Sequence, residues 1–113
     1  MELTGKCKED FEKWYFKNHC NSNIKYEEMM PHDESEIFGW YYNIHDSFKY
    51  GVYVDFFDSV GIYFDIEADK NKDDKIAFFV MQSIWKDSFK EFKTRDKARI
   101  YLIKKANEIY NNK

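Results

Sequence analysis

KYGVYVDFFDSVGIYFDIE, residues 49–67, is aromatic and β-branched almost throughout, yet carries Asp55 and Asp58 inside it. Read as a strand, it puts Tyr50, Val52, Val54 and Phe56 on one face and Gly51, Tyr53 and Asp55 on the other. Read as a helix, it places Phe48, Tyr50, Val52, Tyr53, Val54, Phe56, Phe57 and Val60 around most of the circumference. Gly51, Asp55, Asp58 and Ser59 are then confined to one narrow strip. The ends decide between the two. Asp46 or Ser47 can cap a helix start, and Gly61 stands just past its end, where a left-handed cap requires it. The strand reading leaves HDS (45–47) without a role. The spacing therefore predicts a helix over 47–60. A helix apolar nearly all round is a central, buried one, so Val54 is expected in the core.

Outward from this stretch the pattern changes. After Gly61 the period becomes two: Ile62, Phe64 and Ile66 alternate with Tyr63, Asp65 and Glu67, which predicts a strand with one wet face. ADKNKDD (68–74) is a polar turn, and KIAFFVMQSIW (75–85) a second, more apolar strand. DSFKEF (87–92) makes a short third. Thr94 can cap a final helix with Ala98, Leu102, Ala106 and Ile109 inward and Lys97, Tyr101, Lys104 and Glu108 outward. Towards the N-terminus, Thr4 can cap a first helix whose buried stripe is Cys7, Phe11, Trp14, Tyr15 and Asn18. Phe16 points about opposite to that stripe. Residues 20–46 are irregular and hold the only proline, Pro31. WYYNI (40–44) reads as a short strand or as an aromatic cover over the core.

The expected fold is α+β: an antiparallel meander of about three strands packed with three helices, in the order α, irregular segment, α, β, β, β, α. With 113 residues, one domain spanning 1–113 is expected, long enough to bury roughly 60% of its unfolded surface without staples. An aromatic content of 20% excludes a disordered chain. No run is long enough to span a membrane and none has the form of a targeting segment. The two cysteines are too few for a disulfide framework, which points to a reduced, cytoplasmic protein.

The net charge of −3 hides an asymmetry. Residues 1–60 hold six Lys against twelve acids, and residues 61–113 hold twelve bases against nine. Two oppositely charged halves attract each other. The same asymmetry also suits an acidic face that mimics nucleic acid, or a basic face that binds it.

Few residues carry chemistry. Asp55 and Asp58, three apart, share a helical face and could act as acid and base or hold a metal. They better suit the solvated strip of a greasy helix, with Arg95 and Arg99 as ion partners, since no His, Lys or further acid stands in motif spacing. Cys7, His19, Cys20 and His32 match no zinc spacing. There is no Gly-rich phosphate loop, no G-x-S-x-G and no H-E-x-x-H. Neither an enzyme nor a cofactor is expected. Residues 75–113 hold ten bases and four acids, so a nucleic-acid surface at Lys97, Tyr101, Lys104 and Lys105 is one reading, with weak binding expected. The other lies in surface aromatics. Phe16 projects from its helix, and Trp40, Tyr41 and Tyr42 are consecutive, beside Asp33, Glu34 and Glu36. Exposed rings with a polar rim are what protein interfaces use as anchors.

The segments GVYVDFFDSVGIYFDI (51–66) and FKTRDKARIYLIKKANEIYNNK (92–113), with CKEDFEKWY (7–15), resemble small uncharacterised proteins carried by phages and prophages of AT-rich bacteria. The resemblance implies a phage accessory protein, and an anti-defence protein such as an anti-CRISPR is the kind expected. Its partner would be a host protein, for instance an RNA-guided nuclease, bound in the host cytoplasm through Phe16, Asp33, Glu34, Glu36, Trp40, Tyr41 and Tyr42. Residues 20–46 and 68–91 depart from the pattern.

Overall fold

The deciding stretch is a helix. In a computed structural model that describes residues 1–19, 38–39, 41–82 and 90–113, α1 spans Gly5–His19 and α2 spans Asp46–Ser59. Strands β1 (Phe64–Lys70), β2 (Ile76–Gln82) and β3 (Glu91–Phe92) follow, and α3 (Arg95–Asn111) ends the chain. This is the expected α+β order, with one antiparallel sheet ordered β1-β2-β3. Residues 83–89, part of the strands expected over 75–85 and 87–92, lie outside the described residues. Among the described residues no helix is long and apolar enough to cross a membrane.

The C-terminus of α2 ends as Gly61 foretells. Gly61 has φ +82°, where an L side chain would be strained. Its N–H donates to Asp58 O at 3.2 Å, and the N–H of Ile62 reaches back to Phe57 O at 2.9 Å. Ile62 and Phe57 are both fully buried in the main core, completing the apolar contact that accompanies this pair of bonds. The N-terminal cap is one residue earlier than expected. His45, with extended φ and ψ, accepts the Ser47 N–H on its Nδ1 at 3.1 Å. Asp46 is left in the first turn, where its charge suits the helix dipole.

Burial around α2 is one-sided, which corrects the expectation of a helix enclosed all round. Tyr53, Phe56 and Phe57 are buried, whereas Val54 is half-buried and Phe48 is 69% exposed. The reason is that α2 is covered by α1 and α3 on one side only among the described elements. The strip of Gly51, Asp55, Asp58 and Ser59 is exposed, as its composition requires.

α1 buries Cys7, Phe11 and Tyr15 as the period predicts, but Trp14 is only half-buried and Asn18 is exposed, which corrects the expected stripe, and Glu12 and Phe16 are buried in addition. Phe11 is the hub: its ring lies 5.0 Å from Tyr53, 5.4 Å from Phe56 and 5.4 Å from Tyr41. Each such ring pair contributes about 0.5–1.5 kcal/mol beyond area burial. The first turn of α1 is not capped by the Thr4 side chain. Instead Asn111 Oδ1 accepts the Cys7 N–H at 2.8 Å, and Asn111 Nδ2 donates to Thr4 O at 2.9 Å. Asn107 holds Thr4 on both sides, accepting its N–H and donating to its Oγ1, each at 2.9 Å. Gly5 makes the approach possible. Its φ is +60°, and a Cβ there would stand 3.3 Å from the Asn111 side chain.

α3 lies across all three strands. Thr94 caps it, its Oγ1 accepting the Lys97 N–H at 3.2 Å. Ala98 and Leu102 meet Val80 in a second core, bordered by Phe64, Ile66, Phe78, Phe92 and Tyr101. β1 and β2 pair without a break from Phe64↔Gln82 to Lys70↔Ile76. Asn71 holds their turn, its Oδ1 accepting the N–H groups of Asp73 and Lys75, with Asp74 at φ +59°.

Candidate protein-binding surface

Of the seven residues expected to contact a partner, the described ones turn inward. Phe16 is 9% exposed and part of the main core, which corrects its expected projection into solvent. Phe16 shares that core with Phe38 and Tyr41. Tyr42 donates its hydroxyl to Glu12 Oε1 at 2.7 Å, and Phe38 and Tyr41 pack 5.8 and 4.9 Å from the Tyr15 ring, so all three lie along α1. Tyr41 to Asn43 are helical rather than extended. Tyr41 is fully buried between Phe11 and Tyr15, and Tyr42 is half-buried with Lys8 Nζ 5.9 Å from its ring centre. Asp33, Glu34, Glu36 and Trp40 lie outside the described residues.

Burial pushes the Cys7 thiol up to about 12, so it is protonated at neutral pH. Burial pushes the Tyr41 hydroxyl far above its ordinary value and that of Tyr53 to about 12. Asp55 and Asp58 do not meet the arginines expected to pair with them. Arg99 instead reaches Asp96 Oδ1 at 3.3 Å and lies 5.4 Å from the Tyr50 ring, while Arg95 covers Phe78 at 5.0 Å. Partial burial, and then the neighbouring charge of Asp55, raise the Asp58 carboxyl. Among the described residues no three His, Cys, Asp or Glu side chains are grouped to hold a metal.

On the basic helix, Lys97 and Lys104 are exposed, and Lys105 lies 3.5 Å from Glu108 Oε2. Tyr101 is not on the wet face. Its ring is half-buried, packs 5.1 Å from Phe92 and carries Lys90 Nζ 4.7 Å from its centre. A base stacking there would have to displace both neighbours.

The surface that sequence reasoning missed is the face of the sheet turned away from α3. Register sets Asp65 opposite Met81, Glu67 opposite Phe79 and Asp69 opposite Ala77. On the other side of Phe79 stands Glu91. Alternation puts all seven side chains on one face, since Ile66 and Val80 face the α3 core. The four acids and Met81 are exposed, Phe79 is half-buried and Ala77 is buried. Among the described residues none of the four acids forms an ion pair. Asp65 Oδ1 accepts the Ile66 N–H at 2.8 Å, Asp69 Oδ1 accepts the Lys70 N–H at 2.7 Å, and Glu91 Oε1 accepts from Asn71 Nδ2 at 2.7 Å. The alternation of β1 was legible. Its pairing with an apolar row was not, because register joins residues far apart in sequence.

Such a face attracts cations over its acidic rows and offers apolar area between them. The chain matches no protein-family profile, no curated protein and no solved structure.

Proposed function

We propose that this protein is a non-catalytic binding protein that docks on a basic surface of another protein. The observation that carries this reading is the row of acids without an ion pair among the described residues, Asp65, Glu67 and Asp69, in register with Ala77, Phe79 and Met81. Unpaired carboxylates steer encounter with a positive surface, and rings or thioethers between them supply area that loses water on contact. The resemblance to phage accessory proteins adds the setting: a host defence protein as partner, bound in the cytoplasm and blocked by occupation of the positive groove through which it holds nucleic acid.

The test uses two chains side by side, the native one and the triple variant Asp65→Lys, Glu67→Lys, Asp69→Lys, with matched melting curves. Each serves as bait in lysate of a bacterial host. The reading expects a basic protein that is retained by the native chain, lost from the variant and released by heparin. Equal retention by both baits overturns it.

A further inference from the structure

We propose that the free edge of β1 receives an extended, basic segment of the partner as an added strand, with Asp65 and Asp69 acting as removable covers over that edge. This rests on the acidic-face reading above and names how the contact is made.

Among the described residues β1 is the outer strand of the sheet, seven residues long, without proline or bulge. The direction of its backbone groups follows from β2. The Val80 N–H donates to Lys90 O at 3.3 Å, on the β3 side. Val80 therefore has its backbone groups turned away from β1, and its partner Ile66 has its own turned away from β2. By alternation, the N–H and C=O groups of Phe64, Ile66, Ala68 and Lys70 point to the open edge. Two of these N–H groups, of Ile66 and Lys70, are held by the carboxylates of Asp65 and Asp69. Among the described residues the N–H of Ala68 and the carbonyls of Ile66 and Ala68 have no hydrogen bond.

An open edge of this length is a template for another strand. Charge selects which one. A second copy of β1 would bring its own acids beside Asp65, Glu67 and Asp69 on the same face, and like charges directly opposite destabilise a pair. A segment with Lys or Arg at alternate positions has the opposite effect. Its cations would stand opposite the three acids and draw the carboxylates of Asp65 and Asp69 off the Ile66 and Lys70 amides. Those amides would then be free for the carbonyls of the incoming strand. The residues between the cations would fall on the other face, beside Ile66 and Ala68.

The probes are blocked heptapeptides titrated into the full chain: alternating Lys and Thr, the same peptide with its central Thr replaced by Pro, and alternating Glu and Thr. Binding and amide exchange are followed by NMR. The Lys–Thr peptide should slow exchange at Ile66, Ala68 and Lys70. The Pro peptide, lacking a ladder donor, should bind about tenfold more weakly. The Glu peptide should not bind. Asp65→Asn with Asp69→Asn keeps an oxygen acceptor over each amide and removes the charge, and should weaken the Lys–Thr peptide about tenfold. Equal binding by the Lys–Thr and Pro peptides, with exchange at Ala68 unchanged, overturns strand addition and leaves the acidic-face reading standing. No binding by the Lys–Thr peptide at millimolar concentration overturns it as well. The capture experiment decides the acidic-face reading separately.

Discussion

Tyr110 Oη donates to Asp10 Oδ2 at 2.5 Å, joining the last turn of α3 to the middle of α1. This bond holds the Asp10 carboxyl below its usual range against partial burial, with Lys6 at 3.0 Å helping. Burial, and then the same bond, push the Tyr110 hydroxyl from 10.0 up to about 12. The signs differ. Asp10 contributes stability that is complete above its unfolded value, about 4, and is lost as pH falls through its lower folded value. Tyr110 contributes stability that is present below 10 and is lost as pH rises through about 12. Tyr110→Phe should therefore lower the melting temperature at neutral pH, by the ~1 kcal/mol of one net hydrogen bond. It should also flatten both the acid and the alkaline limb of melting temperature against pH. An unchanged acid limb would refute the coupling.

The Asn111 cap predicts a local effect with a specific signature. Asn111→Ala removes an acceptor from Cys7 and a donor from Thr4, and should cost about 1–2 kcal/mol, as loss of a helix cap does. Gly5→Ala should cost a similar amount, because it forces an L side chain into a left-handed φ and against Asn111. The two substitutions act on one contact, so their double mutant should cost less than the sum. Strict additivity in urea denaturation would count against the contact.

Burial around α2 ranks its substitutions. Phe57→Ala empties a fully buried site and should cost about 3–5 kcal/mol. Val54→Asp, at a half-buried position, should cost roughly 1–2 kcal/mol and leave a folded protein. Asp58→Asn should raise stability by a few tenths of a kcal/mol, about the cost of a like-charge pair on a helix. Thermal melts of the three variants should fall in that order, and a Val54→Asp chain that fails to fold would contradict the one-sided burial.

Free nucleic acid should bind weakly through Lys97 and Lys104 and be released by about 0.2 M salt, as counterion release demands. Tyr101→Ala should lower the melting temperature through loss of the Phe92 contact, without the loss of about 1–3 kcal/mol per base expected of a stacking ring. A Tyr101→Ala chain with unchanged stability and abolished nucleic-acid binding would reverse the assignment.

What the sequence reveals here follows the range of the interaction involved. Gly61 was legible because a left-handed helix end needs a residue without a Cβ, and that need is local. The stripes of α1 and α3 were legible because their period is local too. His45 gives no cap signal in the sequence because Asp46 and Ser47, the stronger cap formers, stand directly after it. The burial of Phe16 is not legible from its helix alone, because the core it joins includes Phe38 and Tyr41, more than 20 residues further along the chain. The acidic face could not be read because it exists only once β1 and β2 adopt their register. Asn111 offered no signal at all: an Asn in a last helical turn reads as a solvated end.

The Asn111 contact also sets an order in time. Translation makes α1 first, with the amides of its opening turn bare. The acceptor for the Cys7 N–H is synthesised 104 residues later, and the partner of Thr4 103 residues later. The opening helix is therefore incomplete while it emerges from the ribosome, and closes only when α3 has been built. A nascent chain halted before residue 107 lacks both side chains and should present a frayed first turn. Alkylation at Cys7, read site by site beside Cys20, should then be faster in that chain than in the fold in which Cys7 is buried.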